Sequence, residues 1–149
     1  MTATEVFTRV FVGGINDAEP FRNLMVRRRP ILLLSVRDDG CPHEECVQIP
    51  IIVDNTIPPE EPIHASVEQL EKAAVLIEQA WKKNVPVFVH CTMGAERSPL
   101  TVAYWLVTRH GFTWSDAYTM LMVKRQEVFN RSDWLPWEIR NGKPYESHD

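Results

Sequence analysis

Apolar and polar positions along this chain fall into blocks of two kinds, short continuous runs and longer stretches with helical spacing. Residues 6–12, rich in Val and Phe, read as a short strand that Gly13-Gly14 terminates. Residues 18–28 carry a helical pattern. The run Ile31-Leu32-Leu33-Leu34-Ser35-Val36 is too short for a typical helix and reads as a strand buried on both faces. Residues 47–53 form a third strand candidate. Its internal Pro50 cannot donate to a ladder and so marks a sheet edge or an early end to pairing.

Pro58, Pro59 and Pro62 then place a loop over residues 54–63, because neither a helix nor a strand interior tolerates them. The clearest helix follows. Val67, Leu70, Ala74, Ile77 and Trp81 recur at alternating spacings of three and four and make one apolar face. Ser66 with Gln69 fits a capping box at its start, and Lys82, Lys83 and Asn84 suit its end. Residues 85–89 predict a fourth buried strand. Pro99 suits the first turn of a helix that runs to His110 and stops at Gly111. Thr113 with Asp116 opens another helix, to about Gln126, and a last short helix covers residues 134–139. Strands alternating with helices predict an α/β domain: a central, mostly parallel sheet flanked by helices, formed by residues 1–149 as one unit.

The 149 residues suffice to bury a core without disulfide or metal staples. The formal charge of −4 lowers the odds of a broad polyanion-binding surface, so nucleic acid and anionic membrane are not expected partners. A small local anion site remains compatible with that charge. No apolar run is long enough to cross a bilayer. The first nine residues lack the basic and apolar regions of a signal peptide. Three cysteines, Cys41, Cys46 and Cys91, fit free thiols in a reducing compartment, and a cytoplasmic location is expected.

The chemistry concentrates in His90-Cys91-Thr92-Met93-Gly94-Ala95-Glu96-Arg97-Ser98. Cys91 falls at the end of a buried strand, and Arg97 at the start of a helix. A tight loop at a helix N-terminus turns backbone N–H groups toward one point and binds an anion. Gly94 permits conformations that a side chain forbids. Arg97 offers a planar fork for two phosphate oxygens. That positive field favours the thiolate of Cys91, and a thiolate beneath a bound phosphate is a nucleophile aimed at phosphorus.

This segment resembles the Cys-x5-Arg signature of the cysteine-based protein tyrosine phosphatases. With Ser98 and Pro99 after it, it looks most like the dual-specificity subfamily. Phe11-Val12-Gly13-Gly14 resembles the family's early strand and Gly turn, the Ile49-Pro50-Ile51 run its strand before the acid loop, and residues 114–126 its helix after the signature. The resemblance implies a phosphocysteine mechanism with no metal and no cofactor. Cys91 attacks phosphorus, and Thr92, Met93, Gly94, Ala95, Glu96 and Arg97 cradle the phosphoryl group. Ser98 assists departure of the Cys91 sulfur, and His90 braces the loop. The implied substrate is a phosphoprotein or phosphopeptide carrying phosphotyrosine and phosphoserine or phosphothreonine, taken into a shallow pocket. An RNA 5′-phosphatase and an inactive phosphoprotein-binding module stand as alternatives; the acidic balance opposes the first, and intact Cys91 and Arg97 oppose the second.

The general acid has two placements. Asp54 directly follows the strand at 47–53, whereas Glu60 and Glu61 lie nearer the family's spacing of about thirty residues before the cysteine. Treating the Pro-rich loop as an insertion favours Asp54. Glu96 either faces the pocket, where it opposes a highly charged substrate, or points outward to a surface cation. Met93 stands where the family often has Ala, and the loop has none of the lysines common in the family's phosphoinositide phosphatases. Cys41-Pro42-His43-Glu44-Glu45-Cys46 lacks a second Cys or His pair at zinc spacing, so no metal site is expected there. A reversible Cys46–Cys91 disulfide, as some relatives form with a second cysteine, remains open. Lys124, Arg125 and Arg131 read either as anion-attracting or as plain surface cations.

Overall fold

The computed structural model describes residues 2–41, 45–53 and 65–141. Five strands form one sheet in the order β1-β2-β5-β3-β4, with β1 at Thr4–Phe7, β2 at Val10–Gly14, β3 at Leu32–Ser35, β4 at Val47–Gln48 and β5 at Val87–Cys91. All pairs are parallel except β1 with β2. The single strand expected over residues 6–12 is therefore two, folded back at Thr8 and at Arg9, which takes a left-handed φ of 62°. Pro50 ends β4 early, and β4 is an edge strand.

Helix α1 spans Ala18–Leu24, α2 Val67–Lys82, α3 Arg97–His110, α4 Trp114–Lys124 and α5 Trp137–Arg140. Helix α1 is shorter than the pattern over residues 18–28 predicts. Leu24 and Val26 are exposed, so the apolar face that would carry the helix further has nothing to pack on. At the start of α2 the expected capping box is absent. Ser66 Oγ instead accepts the Ile52 N–H at 3.0 Å, and Gln69 donates to the Pro50 carbonyl at 3.2 Å. Both side chains fasten the chain beyond β4 to the helix. Thr113 does cap α4, accepting the Asp116 N–H at 3.0 Å, and Gly111 closes α3 with φ 72°.

The period of two along each strand sorts the core into two layers. Val10, Val12, Leu34, Val87, Val89 and Cys91 join the larger cluster with α2, α3 and α4. Leu33 and Phe88 pack with Ala18, Phe21 and Met25 of the α1 region on the other face. Each large side chain so buried contributes about 1.5–3 kcal/mol. Helices α2 and α3 are also joined by polar contacts: Glu71 accepts from Tyr104 and Arg109, and Glu78 from Trp105. The Arg109 guanidinium beside it, with Tyr104, holds the Glu71 carboxyl below the usual range. Among the described residues no helix is long and apolar enough to cross a membrane.

Candidate active site

Strand β5 lies at the centre of the sheet and delivers His90 and Cys91 to its carboxyl end, where ligands of parallel sheets bind. Beside it β2 ends with Gly13 opposite His90 and Gly14 opposite Cys91. The loop after Cys91 closes onto this bare backbone. A Cβ at Gly14 would stand 2.6 Å from the Thr92 carbonyl oxygen, which the Ile15 N–H reaches at 3.2 Å. Gly94 has φ +73°, and a Cβ there would meet Gly13 backbone at 2.6 Å. Glycine is therefore required on both sides of the seam.

Helix α3 starts at Arg97, so its unpaired N–H groups face the loop and favour an anion there. Cys91 is only 4% exposed, and its Sγ lies 3.2 Å from Ser98 Oγ. The Ser98 hydroxyl also reaches the Gly13 carbonyl, at 3.4 Å. Thr92 and Met93 are exposed at the rim, Gly94 is buried, and Ala95, Glu96 and Arg97 are half-buried. Arg97 Nε donates to the Ile51 carbonyl at 2.9 Å, and its Nη2 lies 3.5 Å from Asp38 Oδ2. Both partners are oxygen acceptors. Arg37 from the end of β3 donates to Thr92 Oγ1 at 3.2 Å and to the Gly40 carbonyl at 2.8 Å.

Glu96 takes the outward of its two placements. It accepts from Arg131 Nε at 2.7 Å, and that guanidinium lies over the rings of Phe129 and Trp134. Tyr118 accepts the Arg131 N–H at 3.2 Å; burial pushes its phenol pKa up, so it stays neutral. Asp54, Glu60 and Glu61 lie outside the described residues.

Arg125 is neither a surface cation nor a rim residue. It is 3% exposed beneath the loop, donating to the carbonyls of Gly94 at 3.1 Å, Met93 at 3.2 Å and Thr2 at 2.8 Å. Asp17, also buried, stands 3.8 Å from its guanidinium and accepts the Gly14 N–H at 2.9 Å. Sequence reasoning missed Asp17, Arg37, Asp38 and the burial of Arg125. The position of Arg37 and Asp38 just after a parallel strand was a usable signal. For Arg125, at the end of an amphipathic helix, there was none.

His90 is fully buried, 5.4 Å from the Phe88 ring centroid to centroid, on the α1 face. Cys46 packs against that layer with Sγ 3.6 Å from His90 Nε2, whereas Cys91 belongs to the opposite layer. All three cysteines are free thiols.

The family model described as dual specificity phosphatase, catalytic domain, matches residues 35–137. A search of curated proteins gives no match. Among solved structures, a mouse putative dual specificity phosphatase complexed with zinc tungstate superposes with TM-score 0.71 at 19% identity, covering 93% of this chain and 84% of that one. Human DUSP28 gives TM-score 0.70 at 17% identity, covering 93% and 90%. PTPMT1 in complex with PI(5)P gives 0.73 at 16% identity, covering 93% and 92%. At these identities the likeness is one of fold.

Proposed function

The chain belongs to the dual specificity phosphatase family and is a cysteine-based phosphatase; from that premise we propose that it hydrolyses phosphate monoesters on protein tyrosine, and on serine and threonine, through a phosphocysteine at Cys91. The observation that carries this reading is the pairing of Cys91 Sγ with Ser98 Oγ at 3.2 Å, on the floor of a loop that ends at the α3 N-terminus with Arg97 half-buried beside it. Cys91 attacks phosphorus as the ester oxygen departs. Arg97 and the loop amides hold the charged equatorial oxygens through the transition state. Ser98 donates to the sulfur when water cleaves the S–P bond. His90 acts through the backbone, its carbonyl fixed by the Val36 N–H at 2.9 Å.

Asp54 is the proposed general acid, protonating the leaving oxygen and then taking a proton from the attacking water. Its place directly after the Ile51 region supports this, because Arg97 itself donates to the Ile51 carbonyl. Exposed Met93 at the rim, and exposed Phe129, whose N–H donates to the Ala95 carbonyl, offer apolar surface to a peptide. The outward Glu96–Arg131 pair keeps that carboxylate off a bound phosphate.

The test is hydrolysis of p-nitrophenyl phosphate and of phosphopeptides by the purified chain in EDTA. Cys91→Ser is expected to lose turnover and to retain inorganic phosphate binding, read by calorimetry. Full turnover in that variant overturns the nucleophile assignment. Asp54→Asn is expected to slow phosphopeptide hydrolysis by about 10²- to 10⁴-fold. Glu60→Gln, Glu61→Gln and Asp38→Asn measured alongside identify the acid if Asp54→Asn stays near wild type.

A further inference from the structure

Cys41 and Cys46 lie five residues apart in the chain, and as a pair they make no metal site. The fold adds a third donor from far along the chain. His90 reaches the pair from β5, and the two Sγ atoms and a ring nitrogen of His90 all lie within 4.8 Å of one another. We propose that Cys41, Cys46 and His90 form a binding site for one thiophilic divalent cation, zinc by its donor set, which staples the loop after β3 to the strand that carries Cys91.

Cys46 and His90 stand at the spacing of two ligands of a tetrahedral ion, and Cys41 lies within 4.8 Å of both. Zinc bonds of about 2.3 Å to sulfur and 2.0–2.1 Å to nitrogen place S and N about 3.5 Å apart and two sulfurs about 3.8 Å apart. Cys46 Sγ already stands 3.6 Å from His90 Nε2. Two thiolates and an imidazole are soft and borderline donors that select zinc over magnesium or calcium. Three protein donors leave a fourth position for water.

The donors are held before any ion arrives. His90 is fully buried, and its backbone is fixed in the middle of the sheet. Next to Cys46, Glu45 bonds Arg29 at 2.7 Å and Arg22 of α1, which pins the returning chain against that helix. The Cys41 carbonyl accepts from Gln48 Nε2 at 3.2 Å, and Arg37 holds the Gly40 carbonyl. Thiol ligands lose their protons on binding a metal, so affinity weakens as pH falls.

The site does not depend on the chemistry at Cys91, and its test removes that thiol. The full chain carrying Cys91→Ser, reduced and stripped of metal, is titrated with cobalt(II) and then with zinc(II). One equivalent of cobalt is expected to bind with a thiolate-to-metal charge-transfer band in the near ultraviolet, displaced by zinc. Cys41→Ala and Cys46→Ser, each added to Cys91→Ser, are expected to weaken binding at least about tenfold, the loss that even an outer partner of a metal ligand brings. Cys41 is half-exposed, so Cys41→Ala is expected to melt like its parent without metal. Zinc in large excess is expected to raise the parent's melting temperature by several degrees and leave Cys41→Ala where it was. Absence of the band from the reduced protein, or its persistence undiminished in Cys41→Ala, overturns the proposal.

Discussion

His90 and Cys91 are neighbours in sequence and open onto opposite faces of one strand. Cys91 faces the layer of α2, α3 and α4, and the base of its loop is fastened by buried groups: the Gly13-Gly14 seam, the Ser98 hydroxyl and the Asp17–Arg125 brace. His90 faces the α1 layer, where it meets Cys41 and Cys46, and Glu45 beside Cys46 is held by more exposed ion pairs to Arg22 and Arg29. The first face spends its polar groups where water cannot compete, so each is costly to remove. The second relies on ion pairs that water screens, so each is cheap to lose.

Breaking the Cys91 face at its charge gives the largest expected effect. Arg97→Lys replaces a planar fork by a point charge. Turnover is expected to fall by about 10²-fold or more, while the cobalt spectrum of the other face stays unchanged. Near-normal turnover would show that Arg97 does not hold the phosphoryl group.

Arg125→Met tests the brace. It leaves the Gly94, Met93 and Thr2 carbonyls without their Arg125 donor and buried Asp17 without its ion-pair partner. The expected cost is about 3 kcal/mol, or a melting temperature about 6–12 °C lower for a chain of this size, together with reduced turnover. A melt within a degree of wild type would show that the loop stands without it.

Glu45→Gln probes the other clamp and is expected to cost only about two degrees at neutral pH. The Arg29 and Arg22 guanidinium groups hold the Glu45 carboxyl down to about 2, against an ordinary 4.5. Because the folded pKa is depressed, this stabilisation is complete above about 4.5 and is lost as pH falls toward 2. Melting curves of the two proteins should therefore converge below pH 4.5. A difference that persists undiminished into acid would mean that the Glu45 charge is not what holds the loop.

The smallest effect is expected for Glu96→Gln, which releases Arg131 from a half-exposed pair worth less than about 1 kcal/mol. A change in phosphopeptide turnover beyond a few-fold would place Glu96 in the pocket after all, against its 2.7 Å bond to Arg131.

Much of the fold was legible because it is written in local pattern. The run at Ile31–Val36, the apolar face from Val67 to Trp81 and the Thr113 cap each specify an element through neighbours a few residues away. The errors fall where distant groups compete for local ones. Ser66 and Gln69 have the letters of a capping box, but the chain beyond β4 supplies Ile52 N–H and Pro50 carbonyl, and the side chains bond those instead. The turn at Arg9 was hidden because two antiparallel strands joined by only two residues, Thr8 and Arg9, read as one Val- and Phe-rich strand.

Sequence alone determined the family and marked out the candidate chemical centre, since Cys91 through Ser98 is a contiguous segment whose loop, glycine and arginine need no distant partner to be recognised. Only the tertiary structure decided which way Glu96 points, that Arg125 lies buried beneath the loop with Asp17, and that Asp38 stands beside Arg97. It also decided that Cys41 and Cys46 meet His90. The physical reason is the same in each case. A charged or sulfur-bearing side chain carries no periodic signal of its own, and what it does depends on which opposite charge, carbonyl or donor the packed sheet brings within about 4 Å of it.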